Sequence, residues 1–132
     1  MEAAAEHGQK LPTFPDLGSA ESALCHQRDE LIRRLTEAAL ESTTFSADFR
    51  PESLKELEKW YFELYVSHSF GAIDMSCDDF ERSMAMYFGE VLVRNEADFD
   101  WVVSEYAFEA GKYEIGVAKP LLSIMLRQFT DL

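Results

Sequence analysis

Fifteen residues in the second half of the chain, FERSMAMYFGEVLVR at positions 80–94, constrain the fold more than any other stretch. On a 3.6-residue helix, Phe80, Met84, Tyr87, Phe88, Val91 and Leu92 share one broad face. Met86 and Val93 make a second, narrower stripe beside Gly89. A helix that is apolar on two sides is packed on two sides. Glycine costs about 1 kcal/mol against alanine in a helix interior, so Gly89 is expected to let another backbone come close. The stretch therefore predicts a central post with the remaining elements around it.

The flanking sequence supplies those elements. Residues 1–18 hold two prolines, two glycines and no periodicity, which predicts a loose arm touching the body at Leu11, Phe14 and Leu17. Residues 19–132 are read as a single globular domain. Ser19 is expected to cap a first helix that runs to about Glu41 on a stripe of Leu24, Leu31, Leu35 and Ala38, widened by Ile32 and Ala39. A polar connection with Phe45 and Phe49 turned inward leads to Pro51, a suitable first helical residue. The second helix, to about Ser67, carries Leu54, Leu57, Trp60, Tyr61, Leu64 and Tyr65 on one face and Lys55, Glu56, Lys59 and Glu63 on the other. After a loop around Gly71, Ser76 and Asp79 read as a capping box that starts the central helix, which ends near Asn95.

Beyond Glu96 the period changes from helix to strand. Residues 101–108, WVVSEYAF, are rich in β-branched and aromatic side chains, and residues 112–118 alternate Tyr113, Ile115 and Val117 against Glu114, Gly116 and Ala118. Glu109, Ala110 and Gly111 link the two runs, a β-hairpin pattern. The first strand is apolar on both faces, and a third strand or the arm could cover the outer one as readily as a partner. Lys119 and Pro120 are expected to open a closing helix over residues 121–129, apolar nearly all round. The expected fold class is α+β and helix-dominated: three helices, a β-hairpin alone or within a small antiparallel sheet, then a short C-terminal helix.

The formal charge of −13 argues against nucleic acid and anionic membranes as partners and in favour of a basic protein. Residues 74–114 hold eleven acids and three bases, a local net charge of −8, so most of the excess sits on the central helix and the hairpin. No run of apolar residues is long enough to span a bilayer, and the acidic N-terminus MEAAAEHGQK lacks an apolar signal core, so a cytoplasmic location is expected. Cys25 and Cys77 are far apart and form no CxxC pair, which predicts two free thiols in a reducing compartment.

No chemistry announces itself. His7, His26 and His68 have no acid or cysteine at metal-ligand spacing, and Cys25 and His26 would point about 100° apart on a helix. Asp78 with Asp79 is a helix-capping pair, and Asp98 with Asp100 falls in a turn before a strand. The expectation is a protein that is not an enzyme, with no metal and no cofactor.

YFGEVLVRN at positions 87–95, followed closely by Trp101, resembles a motif in small, helix-rich bacterial proteins of uncharacterised families that have a late hairpin. Such acidic single-domain proteins are similar to the immunity partners of polymorphic and contact-dependent toxins. The resemblance implies a cytoplasmic inhibitor without catalytic residues. Residues and resemblance together lead to a binding protein that neutralises a basic partner, a toxin domain most concretely. Its expected surface is Asp98, Asp100, Glu105, Glu109 and Glu114 for steering, with Trp101 and Tyr106 as desolvated anchors. The alternative is a structural or adaptor subunit, joined through the apolar hairpin face and the closing helix, as a homodimer among other arrangements.

Overall fold

The computed structural model describes residues 11–120 and 122–125, with residues 122–124 described by their backbone alone. Three helices precede a sheet: α1 (Leu17–Ala39), α2 (Ser53–Ser67), α3 (Cys77–Asn95), β1 (Asp100–Glu105), β2 (Tyr113–Lys119) and β3 (Leu122–Met125), with a 3-10 turn at Phe70–Ile73 between α2 and α3. The sheet is antiparallel throughout, in the order β1-β2-β3.

The expected post is α3, and it is packed on two sides. Phe80, Tyr87 and Val91 join Leu35, Phe45, Leu57, Trp60 and Leu64 in one core between the helices. Ala85 and Met86 join Ala20, Leu24, Leu31, Tyr113, Ile115 and Val117 in a second core between helices and sheet. Phe88 and Leu92, expected on the broad face, pack with the second core instead. They stand at the border of the two stripes, where one helical step of 100° decides the side. Gly89 is buried. Ser76 caps α3 as expected, accepting the Asp79 N–H at 3.0 Å, with Asp78 and Asp79 in the first turn favouring the helix dipole. Asn95 does not adopt the left-handed conformation expected of it. It is the last residue of α3, and its side-chain amide holds the carbonyls of Phe49 and Val91, each at 2.8 Å.

Helix α1 begins two residues before the expected cap. The Asp16 carboxylate, not Ser19, takes the capping role and accepts the Ser19 N–H at 2.7 Å. Ahead of it the chain lies against the hairpin. Thr13 bridges to Lys112, the Phe14 N–H donates to the Gly111 carbonyl at 2.9 Å, and the Tyr113 N–H donates to the Pro12 carbonyl at 3.2 Å. Of the expected contacts, Leu11 is buried, Phe14 is half-buried against Tyr113, and Leu17 is 46% exposed. Residues 1–10 lie outside the described residues.

The connection from α1 to α2 is held by an aromatic knot. Phe45 is buried between Trp60 and Tyr87, and Phe49 stacks on Tyr87 with ring centroids 4.8 Å apart. Phe49 has a φ of +59°, a left-handed conformation that costs an L residue roughly 1–2 kcal/mol. Three contacts hold it: its N–H donates to the Tyr87 hydroxyl at 3.0 Å, its carbonyl accepts from Asn95, and the Arg94 guanidinium lies 3.8 Å over its ring. The second helix begins at Ser53, after a turn in which the Ser53 N–H donates to the Arg50 carbonyl, so Pro51 shapes that turn and does not open the helix. Tyr65, assigned to the buried face, is more than half exposed.

Two features of the hairpin differ from expectation. The first strand stops at Glu105, and residues 106–112 form a wider turn in which Gly111 takes a φ of +82°. The expected closing helix is not formed over residues 122–125, which pair with β2 as a third strand. Lys119 pairs with Leu122, and Pro120 stands in a turn in place of a helix. A short apolar run looks alike as a helix or as a covered strand. Positions 121 and 126–129 of that expected helix lie outside the described residues.

Candidate functional site

The structure does not gather the expected hairpin surface into one face. Asp98 and Asp100 are exposed at the start of β1, while Glu105 and Glu109 are exposed at its far end. Five strand steps separate Asp100 from Glu105, about 16 Å. Glu105 is already engaged, its carboxylate accepting the Gly111 N–H at 2.9 Å in the turn. Glu114 is buried in β2 opposite Ser104. The two intended anchors do not project. Tyr106 is buried, and Trp101 is half-buried under the Arg28 guanidinium, 5.0 Å from its ring, with its indole N–H donated to Glu90 at 3.3 Å. Alternation explains the orientation of Trp101. Trp101 and Val103 pair with Val117 and Ile115 and so share the face that packs on the helices.

A different concavity lies between α2 and α3. Leu54, Leu57 and Tyr61 form one wall and Met84, Ala85 and Phe88 the other, around a groove of about 330 Å³. That is the size range of sites that hold an apolar group of a ligand or partner. Its charged residues are Glu58 and Glu81, both acidic. Neither forms an ion pair among the described residues. The Tyr61 hydroxyl donates to the Glu81 carboxylate at 2.6 Å, fixing both side chains at the wall. This hydrogen bond is the largest cause holding the Tyr61 phenol well above its usual range; burial and the Glu81 charge add to it. Tyr61 is thus a neutral donor at the groove wall.

The groove continues onto the outer surface of α2. Tyr61 contacts the rings of Phe62, Tyr65, Phe70 and Phe80, with centroids 5.5 to 6.0 Å apart. Phe62, Tyr65 and Val66 are each more than half exposed, and their spacing of three and four residues makes them one patch. The sequence reading missed this patch. Its available signal was the position of Phe62 and Val66, a helical turn apart and outside the core stripe. Exposed aromatics beside an apolar groove mark interaction surfaces more often than isolated exposed residues do.

A smaller hollow of about 280 Å³ lies beside β1, lined by Glu21, Cys25, Trp101, Val102 and Val103. Among the described residues, no group of three or more His, Cys, Asp or Glu side chains is placed to hold a metal ion, and no helix is long and apolar enough to cross a membrane.

Residues 13–132 match the protein family described as "Uncharacterised protein YwmA". A relative, the uncharacterised protein YwmA of Bacillus subtilis (strain 168), is 26% identical over 111 residues, a stretch covering 84% of this chain and 70% of the relative. No solved structure matches the chain. With nearly its whole described length within the match, the chain belongs to the YwmA family of uncharacterised proteins.

Proposed function

We propose that the chain is an acidic binding protein, without catalytic activity, that holds and neutralises a basic protein partner by seating an amphipathic helix in the groove between α2 and α3. The observation that carries this is the groove itself: an apolar trough whose charges are both negative, continuous with the exposed Phe62, Tyr65 and Val66. A helix laid in such a trough anchors apolar side chains at spacings of three and four residues. Its lysines or arginines would reach Glu58 and Glu81. The net charge of −13 would speed the encounter with a basic partner and make the association rate fall with salt. A bacterial toxin domain is the partner class that the motif resemblance implies. The hairpin acids lie outside the groove and add to the steering field.

The test is an NMR titration of the full chain with an 18-residue amphipathic helical peptide of leucine and lysine. Expected are shifts at Tyr61, Glu81 and Met84, and at least tenfold weaker binding to the Phe62→Ser, Val66→Ser double variant. These side chains are solvent-exposed, so the fold should hold. Shifts confined to other surfaces, or equal binding of a leucine–glutamate peptide, would overturn the proposal. A salt-insensitive homodimer buried through the α2 patch would favour the adaptor subunit instead.

A further inference from the structure

We propose that the outer edge of β1 is a second docking site, which takes an extended basic segment of a partner protein as an added strand. The site is independent of the groove and stands or falls without it. Strand β1 is at the end of the order β1-β2-β3, so one of its edges faces away from the sheet. The register identifies which backbone groups point there. The Tyr106 N–H donates to the Lys112 carbonyl at 2.7 Å, which makes 106–112 a hydrogen-bonded pair. Such pairs alternate in an antiparallel ladder. Ser104, Val102 and Asp100 therefore bond inward to Glu114, Gly116 and Ala118, while Trp101, Val103 and Glu105 direct their N–H and C=O groups outward. The Tyr113 N–H, opposite Glu105, turns away from β1 to the Pro12 carbonyl, as the same alternation requires. The outward groups of Trp101, Val103 and Glu105 have no hydrogen-bond partner among the described residues.

An exposed edge can be guarded by charge alone, and the acids at both ends of β1 would serve that purpose. The hollow beside it argues for reception. An added strand would direct alternate side chains into the space between Glu21 and Cys25 of α1 and Trp101 and Val103 of β1. An aliphatic side chain, or the stem of a lysine with its ammonium at Glu21, suits that lining. Charge selects the occupant. A second copy paired through β1 with Val103 opposite Val103 would place Glu105 against Trp101 of the other copy, next to that copy's Asp100. It would also set Asp98, Asp100, Glu105 and Glu109 of both copies along one seam. A segment rich in lysine or arginine removes that repulsion and converts it to attraction.

The experiment is a titration of the 15N-labelled full chain with acetyl-Lys-Val-Lys-Val-Lys-Val-amide. Expected are amide shifts at Trp101, Val103, Glu105 and Cys25, unchanged in the Phe62→Ser, Val66→Ser variant. Val103→Pro should weaken binding at least tenfold, because it removes an outward donor while leaving every β1–β2 bond in place. If that variant does not fold, the wild-type chain with the same peptide N-methylated at every amide gives the answer, since each methyl removes a donor and blocks strand approach while the charge is unchanged. Equal affinity for the methylated peptide would mean charge attraction without strand addition and would overturn the proposal. Shifts in the α2–α3 groove with none on β1, or a homodimer joined through β1, would overturn it as well.

Discussion

Replacing Tyr87 by phenylalanine should destabilise the fold by about 2–3 kcal/mol, although it removes one oxygen and opens no cavity. The ring is completely buried, and its hydroxyl serves two partners. Ser53 Oγ donates to the Arg50 carbonyl at 2.7 Å, so across the 2.6 Å contact it is Tyr87 that donates to Ser53. The same Tyr87 oxygen accepts the Phe49 N–H at 3.0 Å. Phenylalanine leaves that N–H without an acceptor, about 1–3 kcal/mol at a half-buried site, and deletes a neutral hydrogen bond to Ser53 worth about 1 kcal/mol. Easier burial of a phenyl ring returns a little. The strained Phe49 backbone then loses one of its three tethers, so local opening should rise more than global opening. Urea denaturation gives the total, and a thermal melt should show it as a fall in melting temperature of roughly 6–12 °C for a domain of this length. Native-state hydrogen exchange at Phe49 gives the local part. A loss under about 0.5 kcal/mol, or a larger loss with unchanged exchange at Phe49, would refute the assignment of the hydroxyl as the tether.

Two further outcomes follow from buried oxygens. Burial raises the Tyr87 phenol above its ordinary value of 10.0, and the Glu81 hydrogen bond raises Tyr61. Both groups hold their protons more tightly when folded, so their contribution is complete below pH 10 and disappears as pH rises beyond it; thermal melts from pH 9 to 12 should show the decline, reduced in Tyr87→Phe. Ser83 is fully buried in α3 and its hydroxyl has no hydrogen-bond partner among the described residues, so Ser83→Ala should be neutral or stabilising by up to about 1 kcal/mol in urea denaturation, and a clear loss would reveal an interaction of that oxygen.

The helices were legible because their apolar residues repeat over fifteen residues or more, long enough for the period to dominate. Even the double-sided packing of α3 could be read from Tyr87 and Met86 lying on different faces. Features set by a few residues were harder. Asp16 and Ser19 are both good caps, and which one starts α1 depends on where the arm meets Lys112 and Gly111. The segment 122–125 is too short for periodicity to separate helix from strand, and its pairing with β2 decided the matter. For the candidate site, composition correctly located the acids along the chain but not in space. A strand places neighbours on opposite faces, so Trp101 turned inward while Asp100 stayed exposed. The groove is lined by residues of two helices, so neither segment of the sequence contains it alone.

The seam formed by residues 12–14 against 111–113 joins positions separated by most of the chain. Closing so large a loop is entropically unfavourable until the helices between have collapsed, so the two strips should meet late in folding. During synthesis the arm has nothing to pair with until Tyr113 has been made. Leu11 and Phe14 therefore wait for their partners through the assembly of all three helices, and the sheet receives its last border from a segment made about a hundred residues earlier.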